Sequence, residues 1–196
     1  MQQKQIQMVW HEVTCPTESV RLGMLAEGIW YAHYAPIVGA GQIAHMMAGV
    51  HGASAVREWV VDPMTTVGVL VHPQRKSWCG YMVLCHGCPD PGSCLLSKFY
   101  LVPSLRRKGH GCQALMHAVS EAAGRGAGRL WLTVNRKNDP ARMAYAGMGF
   151  TCVGTQVAEI GGGYVMDDEV WELPLSLPPS PGISEGFTIS TVGKAS

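Results

Sequence analysis

Apolar and polar positions alternate weakly from Ile6 to Thr14, the pattern of a strand exposed on one side. From Thr17 to Tyr34 the spacing becomes helical, with Val20, Leu25 and Ile29 available to one face, and Pro36 and Gly39 are expected to break the helix. A second helix carries Ile43, Met46, Met47 and Val50. Thr65 to His72 is rich in β-branched residues and reads as a strand, as do Trp78 to Cys85 and Cys94 to Val102. The last two are joined by His86 to Ser93, where Gly87, Pro89, Pro91 and Gly92 suit a hairpin connection. Gly109 to Ala123 predicts a helix with Leu115, Met116, Val119 and Ala122 on one stripe, stopped by Gly124 and Gly126. Leu130 to Val134 has the apolar run of a short buried strand. Asp139 and Pro140 open a last helix that reaches about Met148, with the aspartate expected to cap the free amides and the proline to suit the first turn. Phe150 to Glu159 and Tyr164 to Leu175 read as two strands around Gly161-Gly162-Gly163.

This order of elements predicts a mixed α/β domain with helices packed on a central sheet. The domain is expected to span residues 1–176. Beyond it Pro, Ser, Gly and Thr dominate, so residues 177–196 are expected to form a flexible tail. The 196 residues suit one domain, and 47% apolar against 15% charged residues excludes a chain disordered throughout. Fifteen basic and fourteen acidic residues leave a net charge of +1, which provides no general field for nucleic acid or an anionic membrane. Gly28 to Val56 contains no Asp, Glu, Lys or Arg, yet His33, Gln42, His45, His51, Ser54 and Pro36 interrupt it. It reads as two buried helices around a turn rather than a membrane span. Met1 to Trp10 lacks the apolar core of an export signal, and the cysteines number seven, so reduced thiols in a cytoplasm are expected.

The segment Lys98-Phe99-Tyr100-Leu101-Val102-Pro103-Ser104-Leu105-Arg106-Arg107-Lys108-Gly109-His110-Gly111 carries the most chemistry. A strand ends, a basic turn follows, and a helix begins at the glycines. Helix N-termini present unpaired N–H groups and partial positive charge, and glycines let a phosphate approach them. By itself such a turn serves equally as a solvated helix start. It lacks the Gly-x-x-x-x-Gly-Lys-Ser/Thr of a P-loop and the three-glycine spacing of a dinucleotide fingerprint.

A second segment adds Asn138, Ala141, Tyr145, Gly149 and Phe150 after Leu130-Trp131-Leu132-Thr133-Val134-Asn135. Together the two resemble the GNAT superfamily of N-acetyltransferases. Its acyl-CoA motif, Arg/Gln-x-x-Gly-x-Gly/Ala, is met by Arg106, Gly109 and Gly111, and its Asn-x-x-Ala-x-x-x-Tyr-x-x-x-Gly-Phe motif by the second set. The resemblance is specific over about Ser97 to Phe150. It implies the acyl-CoA N-acyltransferase fold, a twisted mixed sheet flanked by helices, with acetyl-CoA as cosubstrate and no metal. It further implies that the amides from Arg107 through Lys108, Gly109 and His110 to Gly111 cradle a pyrophosphate while Arg106 shapes the loop. The strand before the loop would bulge and splay, freeing the backbone at Leu101 and Val102 for the pantetheine arm and acetyl carbonyl. Asn138 would bond the pantetheine or adjacent backbone, and the phenol of Tyr145 would sit by the sulfur, where it can donate to the leaving thiolate. An amine would attack the thioester directly. A small-molecule amine is favoured as acceptor over a protein lysine or N-terminus, a longer acyl donor is a variation, and a homodimer follows family habit. A non-catalytic acyl-CoA sensor on the same fold is the competing expectation.

The base is open. The strand Cys94 to Val102 contains no carboxylate, unlike some members of the family, and Asp167, Asp168, Glu169 and His72 are candidates. Trp30, Tyr31, His33 and Tyr34 could wall the acceptor pocket and hold an ammonium by cation–π contact, or pack as core. His110 lies in the loop but at a position the family leaves variable. Cys85-x-x-Cys88, with His86, Cys94, Cys79 and His72 near, has ligand-type residues but no second close pair, so reduced thiols are expected rather than zinc.

Overall fold

The structure, a computed structural model, describes residues 8–49 and 52–175. Seven strands form one sheet: β1 (Val9–Glu12), β2 (Thr65–Val71), β3 (Trp78–His86), β4 (Ser93–Leu101), β5 (Arg129–Asn135), β6 (Thr151–Gly161) and β7 (Tyr164–Pro174). Their spatial order is β1-β2-β3-β4-β5-β7-β6, and only the β4–β5 pair is parallel. The helices are α1 (Ser19–Val38), α2 (Ala40–Ala48), α3 (Ala53–Val61), α4 (His110–Gly124) and α5 (Asp139–Gly147). The parallel pair requires a crossover, and α4 provides it. The expected tail at 177–196, together with Ile6 and Val50, lies outside the described residues.

Apolar side chains cover both faces of the sheet. On one face Leu115 and Ala118 of α4 and Tyr145 of α5 pack on Leu84, Leu96, Leu130 and Leu132. On the other, Leu22, Ala26 and Ile29 of α1 and Val56 of α3 pack on Val67, Val69, Tyr81 and Val83. Each fully buried Leu or Ile among them contributes about 2 kcal/mol of transfer free energy. The buried stripe of α1 is therefore Leu22–Ala26–Ile29, and Val20, expected on it, is 67% exposed. In α4 Ala118 takes the place expected for Met116, which is exposed. A small residue there lets the helix lie close to the sheet.

Three boundaries differ from expectation. Helix α1 runs past Pro36 to Val38 and ends where Gly39 turns at φ +84°. A proline near a C-terminus removes one ladder bond without ending the helix. Helix α3 was not foreseen; its nine residues bury one side of a short amphipathic turn against α1 and β2. Asn138, not Asp139, is the N-cap residue of α5, and the Asp139 carboxylate accepts instead from Arg142 Nη1 at 2.9 Å. The β6–β7 hairpin closes with Gly162 and Gly163 at φ +62° and +77°, the two-residue turn whose central residues both need positive φ.

Candidate active site

Strands β4 and β5 begin as partners and then part. Ser93, Cys94 and Leu95 pair with Arg129, Leu130 and Trp131, and no pairing continues beyond them. On its other side β4 shifts register against β3: Leu84 faces Leu96 while Val83 faces Lys98, so Ser97 is an extra, bulged residue. A bulge bends its strand and strengthens the local twist, which swings the second half of β4 away from β5. The gap holds a cavity of about 300 Å³. It is lined by Leu96, Ser97, Phe99, Tyr100 and Leu101 of β4, and by Thr133 and Val134 of β5. Cys112 and Leu115 of α4 and Ala141, Ala144 and Tyr145 of α5 close one side, and His33 and Tyr34 of α1 close the other. The cavity thus passes through the sheet from one face to the other.

One mouth is the basic turn. Arg107 at φ +56° and Gly109 at φ +81° flank Lys108, and Gly109 is the N-cap of α4. Left-handed residues interleaved in this way turn successive N–H groups to one side and make a concave anion site at a helix N-terminus. Arg107, Gly109 and Gly111 line the cavity. A Cβ on Gly111 would meet only Leu101 Cδ1, at 3.7 Å, so the position opens into free space. A diphosphate therefore fits here on the geometry of the chain itself. Lys108 folds back to donate to the Ser104 carbonyl at 2.7 Å, and His110 is turned into the interior, so neither side chain lines the cavity.

Arg106 organises the turn. Its Nε donates to the Leu101 carbonyl at 3.0 Å and its Nη1 to His33 Nδ1 at 2.9 Å. Burial, with the Arg106 charge beside it, holds the His33 pKa down to about 4, so the ring is neutral near pH 7. Since Nδ1 accepts from a permanent cation, Nε2 carries the proton and must donate. Nε2 lies 3.2 Å from the Asn138 amide, whose Oδ1 is buried without a partner when Nδ2 faces His33. The donor and acceptor chemistry favours the amide the other way round, with Oδ1 accepting from His33, and the Asn138 amide is also in hydrogen-bond contact with the Tyr34 phenol. One imidazole so ties the basic turn, α1 and the start of α5 together.

The backbone of β4 supplies further groups. Val102, expected to be free, is not: its N–H donates to the Cys79 carbonyl at 2.9 Å. Antiparallel pairs alternate, so Leu101 and Phe99 turn their N–H and C=O groups away from β3 into the gap. Leu101 keeps its free N–H, although its carbonyl already accepts from Arg106, and the other backbone turned into the gap is that of Phe99 rather than Val102. That assignment needs the register, which sequence spacing did not provide.

Tyr145 projects from α5 into the cavity, with its ring 5.7 Å from that of Phe150. Its hydroxyl has no hydrogen bond to any described residue, and burial pushes its pKa upward, so it is a standing proton donor. Across the cavity stands an aromatic group. Trp30 stacks on Tyr34 at 4.3 Å and donates from Nε1 to the Tyr81 hydroxyl at 3.1 Å, and the phenols of Tyr34 and Tyr100 share a hydrogen bond. Of the residues expected to wall an acceptor, His33 and Tyr34 line the cavity, Trp30 stands behind them, and Tyr31 is exposed.

The candidate bases separate. Glu169 accepts from Arg142 Nε at 2.8 Å, from Arg142 Nη2 at 2.9 Å and from Trp171 Nε1 at 2.9 Å, which holds its pKa low. Asp167 is half-exposed and pairs with Arg136 at 3.4 Å. His72 accepts from the Arg75 amide and is not part of the cavity. Asp168 is buried and, among the described residues, bonds only the Asn135 amide, at 3.5 Å. Cys85, Cys88, Cys94 and Cys79 are free thiols, and His86 is occupied by Thr66 and Cys94. Among the described residues no group of three or more His, Cys, Asp or Glu is placed to hold a metal ion, and no helix is long and apolar enough to cross a membrane.

The sequence profile of the GNAT acetyltransferase family matches residues 52–150, which include the splayed strands, the basic turn and Tyr145. The chain belongs to this family. An uncharacterized N-acetyltransferase of Mycobacterium bovis is 35% identical over 127 residues, which is 64% of this GNAT chain and 78% of that protein. Streptothricin acetyltransferase of Streptomyces lavendulae is 45% identical over 58 residues, 30% of this chain and 31% of that one. PaiA N-acetyltransferase of Thermoplasma acidophilum, solved in complex with coenzyme A, superposes with a TM-score of 0.67 over 85% of this chain and 99% of its own, at 17% identity. At that identity the likeness is one of fold. This GNAT chain therefore has the expected mixed sheet flanked by helices.

Proposed function

We propose that this protein transfers the acetyl group of acetyl-CoA to a primary amine of a small molecule, by direct attack of the amine on the thioester. The observation that carries the reading is the cavity between β4 and β5, with an anion-binding turn at one mouth and an unpaired buried phenol inside it. Acetyl-CoA supplies an activated acyl group on a good leaving thiol. The backbone N–H groups from Arg107 to Gly111 bind the diphosphate, and Arg106 fixes their loop through Leu101 and His33. The Leu101 N–H and the Phe99 backbone are placed for the polar groups of the pantetheine arm, with Asn138 on the cavity wall beside them. A β4 N–H aimed into the gap also stabilises charge that develops on the acyl oxygen. Tyr145 donates to the departing sulfur.

Direct attack is favoured over an acyl-enzyme. Cys112 lines the cavity, but among the described residues no histidine or carboxylate is hydrogen-bonded to it to activate it. The coenzyme A held by PaiA supports the donor, and a relative named for streptothricin supports a small-molecule acceptor. The test follows free thiol released from acetyl-CoA against a panel of amines, with an amine-free control. Amine-dependent release is the expected result. Tight binding of coenzyme A without release on any amine would replace the transferase with a sensor.

A further inference from the structure

The side chains that line the cavity give it a positive and aromatic character. Among the described residues, two of them are permanent cations, Arg106 and Arg107. His33 faces the cavity as a neutral ring, kept from taking a proton by burial and by the Arg106 charge beside it. Burial keeps the phenols of Tyr34 on α1, Tyr100 on β4 and Tyr145 on α5 protonated, and Cys112 of α4 adds a free thiol. The neighbouring acids are engaged elsewhere. Asp167 and Glu169 pair with Arg136 and Arg142, and Asp168, which acts electrostatically on Tyr34 from outside the lining, bonds the Asn135 amide. A diphosphate in the basic turn offsets Arg107. Arg106 is tied to Leu101 and to His33 of α1, so its charge stays beside the α1 wall that faces the acceptor.

We infer that the acceptor is a weakly basic aromatic amine that enters uncharged, with its ring against Tyr34 and Tyr100, and that Tyr145 carries the one proton that passes from nitrogen to sulfur. The inference rests on the acetyl-transfer reading above and narrows its substrate. An alkylamine is an ammonium at neutral pH, and like charge on the wall opposes its entry. It must also shed two protons, one before attack and one after, whereas the departing sulfur needs only one. A neutral arylamine closes that inventory within the cavity. Its lone pair forms the C–N bond at the thioester carbon, and the C–S bond breaks with its electron pair on sulfur. Tyr145 gives its proton to the sulfur and recovers one from the nitrogen, which carries one too many after attack. The products are a neutral amide and a free thiol, and no proton is released.

The aromatic wall fits the same ligand. Trp30 stacks on Tyr34 with centroids 4.3 Å apart, and Tyr100 stands edge-on to Tyr34 at 6.0 Å and 75°. A further flat ring extends such an array in the stacked or edge-to-face geometries that aromatic pairs prefer. The ring also draws on the nitrogen lone pair, so the feature that suits the wall is the one that keeps the amine uncharged.

The experiment measures thiol release by wild type from pH 6 to 9 on aniline and on cyclohexylamine, a saturated ring of similar size, with kcat/KM expressed per total amine. His33 does not titrate in this window. The aniline profile should be flat within about twofold, because this amine is neutral throughout. The cyclohexylamine profile should rise about tenfold per pH unit, the slope of its free-base fraction. The slope decides rather than the ratio at one pH, since the free alkylamine is the stronger nucleophile. As inhibitors competing with aniline at pH 7, N,N-dimethylaniline, which is neutral, should bind at least about tenfold more tightly than phenyltrimethylammonium, a permanent cation on the same ring. A flat or bell-shaped cyclohexylamine profile, inert aniline beside reactive cyclohexylamine, or tighter inhibition by the cation would overturn the inference and leave acetyl transfer standing. Coenzyme A binding without thiol release on any amine of the wider panel would instead refute acetyl transfer.

Discussion

Removing one oxygen atom, in Tyr145→Phe, separates a catalytic phenol from a structural one. A buried hydroxyl that serves the fold is hydrogen-bonded, and its loss costs about 1 kcal/mol or more. The Tyr145 hydroxyl has no partner among the described residues, and its ring contact with Phe150 survives the change, so stability should stay within about 0.5 kcal/mol of wild type or improve. The effect on turnover follows from proton affinities. A thiol has a pKa of about 8.5 and an unperturbed phenol about 10, and burial moves Tyr145 further up. Full proton transfer to the thiolate is then uphill by more than about 2 kcal/mol, at about 1.4 kcal/mol per pH unit. The phenol therefore acts chiefly by a hydrogen bond that strengthens as the sulfur gains charge. That places its contribution near the lower end of general acid catalysis, about 100-fold or close to 3 kcal/mol. Thermal unfolding, coenzyme A titration and steady-state thiol release on one preparation give all three quantities. A Tyr145→Phe variant as active as wild type would refute the role. So would a loss of activity matched by an equal loss of stability.

Other perturbations test the remaining parts of the site. Gly111→Glu puts a carboxylate in open space at the start of α4, where negative charge is favourable to the helix by about 0.3–1 kcal/mol, so the melting temperature should hold or rise. Coenzyme A affinity, measured by calorimetry, should fall at least about 100-fold because like charges then oppose each other. Because His33 titrates at about 4 when folded and at about 6.5 when unfolded, the unfolded chain takes up the proton first and stability should decline as pH falls from 6.5 toward 4. Denaturant titrations should show that decline in wild type and lose it in His33→Gln, which should also raise the KM for acetyl-CoA by freeing Arg106. Arg142→Ala strips the partner from Glu169 and should lower stability in chemical denaturation while lowering kcat, since α5 carries Tyr145.

Elements with a strong local signal were readable from the sequence. The period of α4, the Gly-rich turns and the spacing of Arg106, Gly109, Gly111 and Tyr145 are all local properties, and the cavity gathers most of those residues. What escaped depends on partners distant in sequence. Whether Val20 or Leu22 faces inward is decided by how α1 sits on the sheet. Helix α3 is nine residues long with a single fully buried position, too short for periodicity to speak. The exchange of Val102 for Phe99 follows from the β3–β4 register, which pairs residues across the Ser97 bulge. The Arg106–His33–Asn138 connection joins residues up to 105 positions apart, and no spacing rule reaches that far. Asp168 differs from Asp167 and Glu169 only in which neighbours hold an arginine, and that is visible only in three dimensions.

A cavity lined from both faces of a sheet has a kinetic meaning. With the donor held from one face and the acceptor reaching it from the other, neither must depart before the other is admitted. Initial-rate plots at several fixed concentrations of the second substrate should then intersect rather than run parallel. Coenzyme A should compete with acetyl-CoA while failing to compete with the amine.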